Sequence, residues 1–221
     1  MRQFGIRFGG CEEEFEAALK GVAVKFTPFV AVEIGTAGGT TLRAMTDIVR
    51  ETLGNLPWKV IGTDLPQGWS LDWNETARNF GGNLNLKHFG EAKLTDVIDA
   101  PYNVPSFYLI DGRQFVKSNW NQPIHFCFID GCHGAPCAKA DFEAVEPKVP
   151  VGGIVVFHDC GEAETGTDWQ GHCNQYINVR QALRELGLLD GSRPGWRLVK
   201  EIVGSRNFGG DGNSCGVFEK I

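Results

Sequence analysis

Five short apolar segments, separated by helical patterns, constrain the fold more than any other feature of this 221-residue sequence. Each segment is rich in Val, Ile or Phe, as are strands that are buried on both faces of a sheet. Strands that alternate with helices form parallel sheets covered by helices on both sides. The sequence therefore predicts an α/β fold with a doubly wound, mostly parallel sheet, whose first five strands lie at residues 29–34, 58–63, 106–110, 125–129 and 153–158.

Segments with helical periodicity fill the gaps between these strands. Apolar residues at Val179, Ala182, Leu183 and Leu186 follow the i, i+3, i+4, i+7 spacing of one helix face. Two late apolar segments predict an antiparallel hairpin that closes the sheet at its C-terminal end. The two hairpin strands are predicted at residues 196–203 and 215–220. The other predicted helices lie at residues 12–21, 40–52, 91–98 and 138–145.

Length and patterning predict one domain. A chain of 221 residues can bury a core without disulfides or metals. We expect a single domain over residues 1–221, with its core at about 29–221 and an N-terminal helical extension at about 1–28. Glycine-rich stretches at residues 160–175 and 204–213 are interpreted as loops.

Charge and cysteine usage exclude several classes of partner. The net charge is −6 and the sequence contains no Lys/Arg block, which argues against nucleic-acid binding. No segment approaches the roughly 18 apolar residues that span a bilayer, and no signal peptide follows Met1. Seven cysteines without a CxxC pair are typical of reduced thiols in a cytoplasmic protein.

A glycine-rich loop follows the first predicted strand. Glycines let a backbone turn tightly and approach a ligand, and the next helix offers free N–H groups to an anion. The loop does not match the GxGxxG dinucleotide fingerprint, and a tight strand-to-helix turn without a ligand is the alternative interpretation. The predicted ligand-binding residues here are Glu33, Gly35, Thr36, Ala37, Gly38, Gly39 and Thr40.

Carboxylates end the second and third predicted strands. Ligands of doubly wound sheets bind outside the carboxyl ends of the strands, so both residues are site candidates. Asp64 has the position of a carboxylate that accepts both ribose hydroxyls, although helix capping would use the same residue. Asp111 is predicted to accept the adenine amino group, with an Asp-Gly turn as the alternative. Together with the glycine loop they indicate a nucleoside ligand.

The fourth and fifth predicted strands bring two aspartates and two histidines to one sheet edge. Asp130 and His133 follow the fourth strand, and His158-Asp159 ends the fifth. The plainer alternatives are a helix cap for Asp130 and a surface loop residue for His133, while Asp141 is interpreted as solvated or capping. A zinc site is disfavoured because no recognised finger spacing is formed by His133, Cys137, His158, Cys160, His172 and Cys173.

Three motifs resemble class I S-adenosylmethionine-dependent methyltransferases. They are an acidic residue before Gly-x-x-Gly-Gly, the sequence Asp-Gly-x-His, and Gly-Gly-x-x-x-x-His-Asp. They are similar to the branch of small-molecule and sugar O-methyltransferases, which includes macrolide-sugar enzymes and relatives of cephalosporin-tailoring proteins. The resemblance covers residues 29–160 best. It implies a Rossmann-like fold and S-adenosylmethionine as cofactor, with the glycine loop around its methionine moiety.

The resemblance also implies a metal site and a base. In metal-dependent members, the residues matching Asp130, His158 and Asp159 bind a divalent cation, usually magnesium, and the histidine matching His133 deprotonates the acceptor. The family has an acidic residue where this chain has His158. Magnesium prefers oxygen ligands, so His158 weakens magnesium binding, selects a softer ion such as manganese, or is not a ligand.

We therefore predict an O-methyltransferase acting on a small-molecule or sugar hydroxyl. A sulfonium methyl group is already activated, so the protein must position the acceptor oxygen in line and remove its proton. A histidine that titrates near neutral pH can take that proton. The alternatives are an NAD(P)-dependent oxidoreductase and a non-catalytic nucleoside-binding module. Loops at residues 65–80 and 160–175 are expected to form the acceptor pocket, and the oligomeric state is left open, with a homo-oligomer among the alternatives.

Overall fold

The structure is a computed structural model that describes residues 12–36, 38–65, 85–86, 100–117, 120–161, 178–203 and 214–221. The helices in these ranges are α1 (Glu12–Ala23), α2 (Thr40–Leu53), α3 (Gly112–Lys117), α4 (Ala135–Val145) and α5 (Val179–Glu185), with a 3-10 turn at Glu146–Lys148. The strands are β1 (Phe29–Ile34), β2 (Trp58–Asp64), β3 (Asn85–Leu86), β4 (Ser106–Leu109), β5 (Phe126–Ile129), β6 (Ile154–His158), β7 (Trp196–Val203) and β8 (Ser214–Lys220).

The eight strands of the described ranges form one sheet, in the order β3-β4-β2-β1-β5-β6-β8-β7. Strands β1 to β6 are parallel to their neighbours, whereas β8 pairs antiparallel with both β6 and β7. The strand order reverses between β1 and β5, which is the switch point where open α/β sheets bind ligands. The predicted doubly wound sheet with an antiparallel C-terminal hairpin is confirmed.

Helices cover both faces of the sheet because successive strand residues point to opposite sides. Val30, Val32 and Ile34 of β1 join a core cluster that includes residues of α3, α4 and α5. Phe29 and Ala31 join the opposite cluster, to which α1 and α2 contribute. Helix α1 therefore packs on the sheet beside α2 in the main core of the protein.

The sequence patterns give no bounds for helix α3 or strand β3, although an extra element before the third predicted strand is one interpretation of residues 65–105. Helix α3 begins at the Asp-Gly pair, which is also a turn signal, because the carboxylate of Asp111 accepts the N–H of Arg113 at 2.8 Å and its carbonyl accepts the N–H of Phe115 at 2.9 Å. Strand β3 has two residues, too few for an alternating pattern to be visible. The predicted helix at residues 91–98 and nearly all of the two predicted loops lie outside the described residues.

The cysteine prediction is wrong at one position. Cys127, Cys137, Cys160 and Cys215 form no disulfide, but Cys132 is disulfide-bonded. An odd count without a CxxC pair describes spacing along the chain and says nothing about thiols that the fold brings together. In the described parts of the chain, no helix has the length and apolar character needed to cross a bilayer.

Candidate functional site

The glycine loop is fixed at the point where β1 and β5 leave the sheet. Gly35 has a φ of 87°, and a Cβ there would lie 2.2 Å from the carbonyl oxygen of Asp130. The N–H of Asp130 donates to the carbonyl of Ile34 at 2.9 Å. The N–H groups of Gly35 and Thr36 both donate to the carbonyl of Thr63, at 2.9 and 3.2 Å. Only glycine fits this close approach of three strand ends.

The loop opens towards the first turn of α2. Gly39 is the N-cap residue, in a left-handed conformation and without a side-chain hydrogen bond to the helix. The first N–H groups of α2, from Thr40 onward, thus have no side-chain cap. At Gly38, an added Cβ would meet no described atom within 4 Å. Ala37, also predicted to bind the ligand, lies outside the described residues.

Buried polar groups lie beside this loop. Glu33 of β1 is completely buried, and neither oxygen of its carboxylate makes a well-aligned hydrogen bond with a described residue, although the hydroxyl of Thr36 lies near enough to interact with it. The buried hydroxyl of Thr41 has no hydrogen-bond partner within the described ranges. Burial, and then the charge of Asp130, raise the pKa of Glu33 well above its ordinary value and outweigh the opposing effect of Thr36. Buried polar groups normally have partners, so these atoms indicate a site for a polar ligand.

Asp64 and Asp111 both lie at strand ends, as predicted, but in different surroundings. Asp64 ends β2 and accepts the N–H of Leu65 at 2.7 Å. Asp111 forms a bidentate ion pair with Arg113, with O···N distances of 3.0 and 2.7 Å. Burial opposes ionisation of Asp111, but Arg113 outweighs it and lowers the pKa of this carboxyl. Sequence reasoning did not assign Arg113 to the site, although an arginine two residues after an aspartate was a visible signal.

Asp141 of α4 differs from its prediction as a solvated or capping residue. It is 5% exposed, and its carboxylate lies 3.6 Å from the Nε of Arg113. Burial raises its pKa to about 7 and outweighs the opposing charge of Arg113. Its Oδ2 would lie 3.5 Å from a Cβ at Gly131. A polar residue inside α4 is buried here because the loop after β5 and the side chain of Arg113 cover it.

The structure brings together the four residues predicted at the ends of the fourth and fifth strands of the chain's first five. We call them the acid–histidine cluster: Asp130, His133, His158 and Asp159. The Nδ1 of His158 lies 3.0 Å from Asp130 Oδ1 and 3.1 Å from Asp159 Oδ1. The Nε2 of His133 lies 3.4 Å from Asp130 Oδ1 and 3.3 Å from Asp159 Oδ2. Each of the four residues offers one atom that could bind a metal ion, a ring nitrogen or a carboxylate oxygen. These four atoms all lie within 4.8 Å of one another.

Burial and mutual charge set the protonation of this cluster. Burial would lower the pKa of His158, but Asp130 and Asp159 raise it well above its ordinary value. Burial likewise works against charging His133, yet the same two carboxylates raise its pKa. For Asp130, burial favours the neutral acid, but His158 and His133 hold its pKa below the usual range. The cluster therefore stabilises charge pairs in a place with little water.

Asp159 adopts a conformation that is uncommon for residues other than glycine. Its φ is 52°, in the left-handed region. Such a residue costs about 1 kcal/mol, and residues of this kind concentrate at functional sites. It follows β6 directly, and its carboxylate contacts both His133 and His158.

Comparison with known proteins gives one family match and several structural ones. A family described as a methyltransferase domain matches residues 32–160. The O-methyltransferase NovP has a similar fold (14% identity, 95% of this chain and 78% of that chain covered, TM-score 0.58). The O-methyltransferase from Bacillus cereus in complex with SAH also has a similar fold (16% identity, 95% of this chain and 80% of that chain covered, TM-score 0.57). CalS11, a calicheamicin methyltransferase, is a third match (16% identity, 94% of this chain and 77% of that chain covered, TM-score 0.56). At these identities the structural likeness shows a shared fold.

Proposed function

Because this chain belongs to the methyltransferase-domain family that matches residues 32–160, we propose that it transfers a methyl group from S-adenosylmethionine to the oxygen of a small-molecule or sugar hydroxyl. The observation that carries the proposal is the completely buried carboxylate of Glu33 beside the glycine loop, which interacts with a hydroxyl but with no cationic side chain of the described residues. The methionine end of this cofactor carries an ammonium and a sulfonium group, and a buried carboxylate is the natural partner of such a cation.

The same surroundings disfavour a dinucleotide. A pyrophosphate needs free backbone N–H groups in the loop, but those of Gly35 and Thr36 already donate to Thr63. Asp130, whose pKa is held below the usual range, would also repel its charge. The smaller carboxylate of the methionine moiety can use the N–H groups at the start of α2, which have no side-chain cap.

We assign the remaining cofactor contacts to the neighbouring strand ends. Asp64 accepts the ribose hydroxyls, and Asp111 accepts the adenine amino group while it stays paired with Arg113. Gly35 and Gly39 shape the loop, while Thr36, Gly38 and Thr40 lie where the methionine moiety passes. Asp130 belongs to the acid–histidine cluster and also adjoins this site, because the end of β5 lies beside that of β1.

His133 is the proposed general base. It is the most exposed member of the cluster, with 22% of its side chain accessible, so an acceptor hydroxyl can reach it. Asp130 and Asp159 face its Nε2 from two sides, so this nitrogen carries the N–H and Nδ1 is the atom that takes the proton. The two carboxylates then stabilise the imidazolium that forms. The protein then needs to hold the acceptor oxygen in line with the sulfonium methyl group.

The cluster also fits a divalent cation. Two carboxylates and two imidazoles within 4.8 Å form a mixed oxygen–nitrogen donor set, which suits manganese better than magnesium. Asp130, His158 and Asp159 would hold such an ion, and a bound cation would lower the pKa of the acceptor hydroxyl.

Calorimetry with S-adenosylhomocysteine tests the cofactor. We expect binding in the micromolar range, and its absence at about 500 µM would contradict the proposal. The Gly38→Ala variant should bind about tenfold more weakly without losing stability, because its methyl group enters open space at the loop. Gly21→Ala, in α1 with equally open surroundings, is the matched control and should bind normally.

A Mn²⁺ titration of the metal-stripped protein, followed by electron paramagnetic resonance, tests the cation. We expect one site, tighter for Mn²⁺ than for Mg²⁺, that weakens in Asp159→Asn. It should not weaken in Asp47→Asn, whose partly exposed carboxylate pairs with arginines of α2. If no binding occurs at about 1 mM Mn²⁺, the proposed cation site is rejected. Asp130 and Asp159 then serve only to orient and charge the two histidines. Methyl transfer that survives in His133→Ala would reject His133 as the base.

A further inference from the structure

The sheet does not itself fix the contact between the two loops of the acid–histidine cluster. The parallel ladder between β5 and β6 ends at the pair Ile129↔Phe157. His133 lies four residues beyond that point on one strand, and Asp159 two residues beyond it on the other. Their contact at 3.3 Å must therefore depend on groups outside the ladder.

Asn178, at the N-terminus of α5, holds the loop after β5. Its backbone N–H donates to the carbonyl of His133 at 3.0 Å, and its side-chain oxygen accepts the N–H of Ala135. Its side-chain nitrogen donates to Gln181 at 3.4 Å, which directs the amide oxygen towards Ala135. One residue thus fixes the backbone on both sides of Gly134, directly after His133.

Arg180, two residues further along, holds the loop after β6. Its Nη1 donates to the carbonyl of Cys160 at 3.1 Å, and Cys160 directly follows Asp159. The guanidinium is itself fixed by an ion pair with Glu201 of β7. Cys160 is completely buried, so this carbonyl would lack water if the arginine were removed.

We propose that Asn178 and Arg180 are positioning residues that hold the loops after β5 and β6 so that His133 and Asp159 stay in contact. Asn178 is the N-cap residue of α5 and Arg180 lies in its first turn, so one helix end sets the spacing between the two loops. The effect of this positioning on catalysis rests on the proposed function, in which His133 is the base. The positioning of the two loops rests on the hydrogen bonds alone.

Hydrogen exchange of the full chain tests the part played by Asn178. In Asn178→Ala the N–H of Ala135 loses its acceptor, and we expect its exchange to become about fivefold faster, as for the loss of one hydrogen bond. Asn178→Asp keeps an acceptor oxygen and should restore slow exchange. Lys139→Ala is the control, because it removes an exposed contact between α4 and Glu185 of α5 without touching either loop.

Long-range ¹H–¹⁵N spectra of the histidine rings report on the cluster directly. We expect Asn178→Ala to shift the ring signals of His133, and Arg180→Met to shift those of His158, which contacts Asp159. The ring of His125, whose Nδ1 accepts the N–H of Val30, should not change. Unchanged His133 signals in a folded Asn178→Ala protein, or equal shifts in Lys139→Ala, would overturn the proposal.

Calorimetry with S-adenosylhomocysteine on the same proteins separates this inference from the proposed function. The proposed cofactor residues lie on or directly after β1, β2 and β4, away from α5, so affinity should change by less than about twofold in both variants. Wild-type protein that fails to bind the ligand contradicts the proposed function, while the exchange and ring-signal results still decide the positioning role.

Discussion

At the scale of single residues, Gly35 and Asp159 of the candidate site have opposite side-chain requirements. Gly35 combines a positive φ with a backbone approach to Asp130 that leaves no room for a methyl group. Asp159 has a positive φ in a residue that has a side chain, and that side chain contacts both histidines. One position requires the absence of a side chain and the other requires its presence. Each therefore allows a different kind of mutational test.

Gly35→Ala should destabilise the fold by about 3 kcal/mol, because backbone strain and an overlap with Asp130 add together. Gly191→Ala is the control, since Gly191 also has a positive φ but no described atom lies within 4 Å of an added Cβ. It should cost about 1 kcal/mol. Urea denaturation measures both free energies of unfolding, and equal losses would show that φ alone matters at Gly35.

At the scale of elements, His125 joins three central strands just before β5 begins. Its Nδ1 accepts the N–H of Val30 at 3.0 Å, its N–H donates to the carbonyl of Val30, and its carbonyl accepts the N–H of Ile154. The ring stacks on Phe26, with centroids 4.2 Å apart. An accepting Nδ1 inside an aromatic contact requires that the ring keep the neutral form, in which one nitrogen has no proton.

This requirement makes stability depend on pH. Burial lowers the pKa of His125 from 6.5 to about 4, so the unfolded chain binds more protons between these values. The stabilisation is complete above pH 6.5 and is lost as the pH falls towards 4. Between pH 7 and 4.5, wild type should lose about 2 kcal/mol more stability than His125→Asn, which retains an acceptor for Val30 but does not titrate. Parallel urea-denaturation curves for the two proteins would contradict this prediction.

At the scale of the whole molecule, the last strand is an internal part of the sheet. Strand β8 lies between β6 and β7, so the C-terminal segment completes the core next to the strand that carries His158. Phe218 is completely buried and contacts Phe157 edge-on, with centroids 5.9 Å apart. The recognition of a class I S-adenosylmethionine-dependent methyltransferase is confirmed by the family match and agrees with this sheet.

Phe218→Ala should therefore cost about 4 kcal/mol, the range of a large buried aromatic side chain replaced by a cavity. Ile221→Ala, three residues further on at a 59% exposed position, should change stability by less than about 0.5 kcal/mol. Thermal unfolding of both variants measures the difference. A small effect at Phe218 would mean that the C-terminal strand contributes little to the common core.

The sequence by itself determined the central strands, the glycine loop and the gathering of Asp130, His133, His158 and Asp159. Local patterns suffice there because apolar runs mark buried strands, and parallel strands end at one sheet edge. These inferences required no knowledge of contacts between distant side chains.

Only the tertiary structure decided which groups pair across the loops. The ion pair of Asp111 with Arg113, the burial of Asp141, the disulfide at Cys132 and the hydrogen bonds of Asn178 were not evident from spacing. The contact of Asn178 with the loop 43 residues earlier depends on how α5 packs beside α4. Distances between loops follow from the packing of whole elements, which local patterns do not encode.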